Sequence, residues 1–187
     1  MTASGFGFLV GVTYQVPRLA RDMLTAIGTR VGDPLAKVLD PHLTFVPPTP
    51  IDSAGIVDFA VHVDKVAAAT RPFRIGLHGA GTFRPVTDVV YARLAKGVAE
   101  CSALAEELRS GPVEAVLEHP FHPHVTVAQN LPKAALDRAE RELDGFVAEC
   151  LVGEIVVSIR VAAETAGVWT PVARSTLGAA PRLQERP

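Results

Sequence analysis

Pro41-His42-Leu43-Thr44-Phe45 and Pro123-His124-Val125-Thr126-Val127 are two copies of one pattern, Pro-His-apolar-Thr-apolar. Residues two apart in a β-strand project from the same face. As a strand, each copy presents an imidazole and a hydroxyl side by side. Leu43 and Phe45, and likewise Val125 and Val127, turn to the opposite face and into a core. Two such strands brought together make a cleft floor with two histidines and two threonines. Imidazole accepts and donates protons near neutral pH, so this is equipment for acid–base chemistry at a phosphate.

Outward from the motifs, period-two and period-3.6 patterns alternate. Phe6 to Tyr14 reads as a strand. A helix opening at Pro17 turns Leu24, Ile27 and Val31 inward, and Gly32-Asp33-Pro34 breaks it. The first motif strand covers His42 to Val46 and stops at Pro47-Pro48. A helix capped by Asp52 or Ser53 follows, then a strand through Phe73, Ile75 and Leu77. After the turn-rich Gly79 to Pro85 the order recurs. A strand near Val89 to Leu94 leads to a helix through Cys101, Leu104 and Leu108. Val113 to Leu117 reads as a short strand, and the second motif strand covers His122 to Ala128. A helix from Pro132 ends near Gly145. Ile155 to Val161 is a strand, paired through an Ala166-Gly167 turn with Val168 to Val172. The tail 178–187 reads as frayed. Strand, helix, motif strand, helix, strand thus occurs twice, so duplicated halves would face their motifs across a pseudo-two-fold axis. The alternation allows α/β or α+β layers.

A chain of 187 residues is one domain or a two-lobed one, long enough to bury a core without disulfides or metals. The net charge of −2 gives no global field for nucleic acid, so any RNA contact must be local. Cys101 and Cys150 form no CxxC and fit buried thiols in a reduced, cytoplasmic chain. Met1 to Val12 lacks a charged leader region, and no apolar run approaches a membrane span. The expectation is a monomer with no membrane and no obligate protein partner.

Opening a cyclic phosphodiester requires one histidine to deprotonate water and the other to protonate the departing ribose oxygen. Thr44 and Thr126 would donate hydrogen bonds to the non-bridging oxygens. No cofactor or metal is needed, and the pH profile should be bell-shaped.

The paired motifs resemble those of the 2H phosphoesterase superfamily, in its branch of 2′-5′ RNA ligases and RNA 2′,3′-cyclic phosphodiesterases. His42-Leu43-Thr44-Phe45 and His124-Val125-Thr126-Val127 carry the resemblance. Weaker support comes from the opening strand ending Val16-Pro17, Gly81-Thr82-Phe83-Arg84-Pro85, Val89-Val90-Tyr91 and Phe121-His122-Pro123, so it spans about residues 6–173. It implies a single α+β domain over 1–177, bilobal, with duplicated β-α-β-α-β halves of about 1–85 and 86–177 and antiparallel sheets around a central cleft. It implies action on 2′,3′-cyclic phosphates or 2′-5′ linkages of RNA or nucleotides, with His124 activating water and His42 protonating the leaving oxygen. The residues alone leave those two roles open. One departure stands out: where RNA-acting members often carry an arginine after the second motif, this chain has Gln129, which hydrogen-bonds without charge.

Arg74 and Arg84 are candidates for the missing cation, and His78 shares the prospects of Arg74. His122 and Asp40, each two residues before a motif histidine, are placed to line the cleft or tune their neighbours. Trp169 is available to stack a base or to pack on the sheet. A metal reading of Glu118, His119, His122 and His124 is weaker, because the repeat already accounts for His124. The rival to an enzyme is a non-catalytic module holding a nucleotide or RNA end in the same cleft. A different small cyclic phosphodiester, such as an ADP-ribose cyclic phosphate, would keep the chemistry.

Overall fold

A computed structural model of the chain describes residues 7–163 and 168–179. The elements run β1 (Phe8–Gln15), α1 (Arg18–Val31), β2 (His42–Ile51), α2 (Gly55–Ala69), β3 (Phe73–Thr82), β4 (Val89–Lys96), α3 (Val98–Arg109), β5 (His124–Gln129), α4 (Lys133–Leu143), β6 (Val147–Val152), β7 (Glu154–Val161) and β8 (Thr170–Thr176). The fold is α+β, as expected. The antiparallel strands form one eight-stranded sheet, in the order β6-β3-β4-β5-β2-β1-β7-β8. The two motif strands are central neighbours, registered through one pair, Leu43 with Val125.

The sequence halves exchange elements across this seam. β3 pairs with β4, and β7 pairs with β1. The helices cross too: α1 packs against β5, and α3 packs against β2. Arg109 of α3 donates to the Phe45 carbonyl oxygen at 3.1 Å. Leu43, Phe45, Val125 and Val127 are all buried, as the alternation requires. Both cysteines are free and buried, and burial pushes the Cys101 thiol up to about 12.

α1 meets β5 at Gly28. A Cβ there would stand 2.7 Å from the Val127 carbonyl oxygen and 2.9 Å from the Ala36 Cβ. Neither atom belongs to a flexible side-chain end that can swing aside. Gly28→Val is therefore expected to lower unfolding stability by about 1–3 kcal/mol. Urea denaturation checks this, with the midpoint falling at unchanged slope.

Some boundaries differ from the sequence reading. Pro47-Pro48 does not end the first motif strand, which runs on to Ile51. Beyond Leu43 no residue of β2 is registered with β5, and β1 pairing skips Pro47 and Pro48 at a bulge. Prolines are tolerated where no ladder N–H is required. Val113 to Leu117 forms no strand; only Val113 is buried, and Val116 is exposed. β6 was not legible, because exposed Val147 and Leu151 mask the alternation of its inward residues Cys150 and Val152. Pro17 sits just before α1 rather than inside its first turn. The Ala166-Gly167 turn and residues 180–187 of the tail lie outside the described residues. Gly178, where that tail was expected to begin, donates its N–H to the Ala67 carbonyl oxygen at 3.0 Å.

Candidate active site

Strand alternation turns His42 and Thr44 on β2, and His124 and Thr126 on β5, to the face opposite the core. The single seam pair brings the two sets together.

Both imidazoles are held in the same way. His42 Nδ1 lies 2.8 Å from the Asp40 carbonyl oxygen, and His124 Nδ1 lies 2.7 Å from the His122 carbonyl oxygen. A carbonyl oxygen only accepts, so each Nδ1 donates. Each ring therefore keeps Nε2 for proton transfer, as a lone pair when neutral and as an N–H when protonated. Asp40 and His122 thus act on their neighbours through backbone oxygens. The Asp40 carboxylate turns away to Arg21, at 3.3 Å.

Two aromatic rings wall the second motif. Phe83 meets His124 edge-on at 4.9 Å between centroids, and Tyr91 lies 5.3 Å from it. The Tyr91 hydroxyl is 3.2 Å from His122 Nε2. This packing requires Gly81, where any Cβ would overlap the Tyr91 ring. Burial lowers the His124 pKa below the ordinary imidazole value. The bond to the His122 carbonyl opposes that shift, and nearby His122 and His42 reinforce it. His124 is thus biased towards the neutral form that a general base needs.

The first motif is flanked by polar residues of β1: Gln15 is registered with His42, and Thr13 with Thr44. On the other side Tyr91 is registered with Thr126, and Arg93 with His124. Registered residues of an antiparallel pair share a face, so Arg93 starts from the site face, but its Nε donates to the His78 carbonyl oxygen on β3 at 3.3 Å and its side chain lines a cavity with Glu140 and Asp144 at the end of α4. The sequence reading missed Arg93. Its spacing of two from Tyr91 was the available signal, and only the pairing of β4 with β5 gives that spacing meaning.

Neither candidate arginine lines the cavities beside the motif histidines. Arg84 is bound by Asp137 at 2.7 Å and by Glu140, both on α4. These partners neutralise it and make the turn after β3 a structural clamp. Arg74 is exposed on β3 opposite Leu151 of β6, at the end of β3 away from the residues paired with Tyr91. His78 is exposed on the same strand, and its carbonyl rather than its ring reaches Arg93. Gln129 lines a cavity of about 170 Å³ with Asp33, Asp40, His42 and Thr126. Its backbone N–H donates to Asp33 Oδ2 at 3.0 Å. A second cavity, of about 270 Å³, lies beyond His42 and Thr44 and is bounded by Trp169. Among the described residues, no group of three His, Cys, Asp or Glu side chains is placed to hold a metal ion. No helix among them is long and apolar enough to cross a membrane.

The model of the 2′-5′ RNA ligase superfamily matches residues 16–164. A protein of Oceanobacillus iheyensis named "Putative phosphoesterase OB1230" is 29% identical over 121 residues, covering 65% of this chain and 70% of that protein. Among solved structures, Escherichia coli LigT complexed with NADP+ superposes with a TM-score of 0.69 at 19% identity, covering 91% of this chain and 98% of LigT. The Thermus thermophilus protein TT0787 does so at 0.68 and 20%, with the same coverage. LigT has also been crystallised with 3′-AMP and with ATP.

Proposed function

The chain belongs to the 2′-5′ RNA ligase superfamily, and on that footing we propose that it is a metal-independent phosphoesterase that opens nucleoside 2′,3′-cyclic phosphates, or 2′-5′ linkages, by histidine acid–base catalysis. The observation that carries this reading is the matched tethering of the two rings, each with Nδ1 on a backbone carbonyl and Nε2 left for chemistry.

In this reaction His124, the ring biased towards neutrality, takes a proton from water as its oxygen attacks phosphorus. His42, protonated, gives a proton to the departing ribose oxygen, leaving a 2′-phosphate. Each turnover exchanges the protonation states of the pair, and solvent restores them. Thr44 and Thr126 donate to the non-bridging oxygens, where negative charge grows. In this reading Arg93, in register with His124, is the candidate cation in place of the arginine that Gln129 replaces. With uncharged Gln129 lining the cavity beside Thr126, the site offers little charge along a backbone, which favours a small nucleotide or a short RNA end over a long polyanion. The nucleotides held by LigT support the same substrate class. Residues 1–177 act in this reading as one monomeric unit in the cytoplasm.

The test is turnover of a nucleoside 2′,3′-cyclic phosphate in the presence of a chelator, followed across pH. Because the His124 pKa is lowered, the base stays neutral to lower pH than a free imidazole. The acid limb of a bell-shaped kcat/KM profile is therefore expected below the ordinary imidazole value of 6.5. A rate that rises steadily through the neutral range into alkali removes the acid–base pair. Nucleotide binding without turnover would instead favour a non-catalytic module.

A further inference from the structure

We propose that the substrate's nucleoside lies on the β1 side of the seam, with its base stacked on Trp169. This deepens the functional reading above and rests on it for direction. In-line displacement puts the attacking water and the leaving oxygen on opposite sides of phosphorus. With water at His124, the ribose bearing the leaving oxygen lies at His42, and its base extends beyond His42, away from β5. The 270 Å³ cavity lies there, between His42, Thr44, Pro48 and Trp169.

Trp169 is built into that wall. It precedes β8 and its ring is partly exposed. The ring edge closes over β1 at Gly11, where a Cβ would stand 3.6 Å from Cζ3 and 3.7 Å from Cη2. The absence of a side chain at Gly11 keeps the slot beside the ring open. The Arg160 guanidinium carbon lies 5.6 Å from the ring centroid, a cation–π contact that orients the indole. Thr13, Gln15 and Ser158 bring hydroxyl and amide groups to the same cavity, suited to the edge of a base. On the other side of the seam the protein's own rings, Phe83 and Tyr91, pack against His124. The flank of the site towards β4 is thus filled by the protein's own rings, whereas the flank towards β1 is open.

Trp169 is the only tryptophan in the chain, so its fluorescence reports on this site directly. Titration with adenosine 2′-monophosphate should quench the emission saturably, whereas a baseless methyl riboside 2-phosphate should not. Base–aromatic stacking of the usual strength predicts that Trp169→Ala weakens nucleotide binding, read by calorimetry, about 10- to 100-fold, and that Trp169→Phe keeps most of it. The kcat/KM preference for the nucleoside cyclic phosphate over its baseless analogue should collapse by a similar factor in Trp169→Ala. Quenching and stacking without turnover would remove the catalytic reading and leave the base platform standing. Calorimetric binding without quenching, unchanged affinity in Trp169→Ala, or equal rates on the two substrates would overturn the platform even if catalysis holds.

Discussion

His124→Ala is expected to lower kcat on a nucleoside 2′,3′-cyclic phosphate by about 10²- to 10⁴-fold, with KM changed little. His42→Ala is expected to lose as much on that substrate, because an alkoxide leaving group needs its proton. A substrate with a good leaving group separates the roles. On bis(p-nitrophenyl) phosphate the leaving phenolate departs without protonation, so His42→Ala should recover most of the wild-type rate and His124→Ala should not. The reverse pattern would exchange the roles of the two rings, and full activity in both variants would remove the mechanism. The small side chain leaves the tethering carbonyls of Asp40 and His122 at the site edge, where water can satisfy them, so neither variant should lose much stability. Retained thermal unfolding makes a rate loss interpretable.

The second large effect concerns the hydroxyls. Thr126→Val keeps the branched shape on β5 and removes one donor to the charge that grows on phosphate. Loss of one such donor typically costs about 10²- to 10³-fold in kcat. Thr44→Val is expected to behave alike on β2, and Thr→Ser at either place should retain most of the rate. An aryl leaving group should not rescue Thr126→Val, since the hydroxyl stabilises charge on oxygens that do not depart. Steady-state kinetics on both substrates, with the serine variants as controls, checks this. If Thr→Val matched wild type at both positions, the threonines would be strand-packing residues.

The motif strands were legible because the period of two is written in five consecutive residues, each position carrying one clear property. Distribution over strands hid the remainder of the site. Tyr91, Arg93, Gln15 and Thr13 reach the motifs through cross-strand register, which depends on the bulges between Val10 and Thr13 and between Val90 and Tyr91. Asp40 and His122 stood at meaningful positions, but the atom by which each tethers its motif ring is a carbonyl oxygen common to all residues. Arg84 looked available because its partners, Asp137 and Glu140, lie far along the chain on a helix with no motif of its own. A duplicated order of elements was visible, whereas the exchange of β3 and β7 was not, since both halves offer the same apolar strands to either neighbour.

That exchange, with α1 resting on β5 and α3 on β2, bears on how the site opens. Each half carries one imidazole but supports the strand that carries the other. Detaching either half would strip a buttress from the remaining motif, so the two imidazoles belong to a single cooperative unit, gained and lost together. A half-formed site, with one ring in place and its counterpart adrift, has no independent basin in such an architecture.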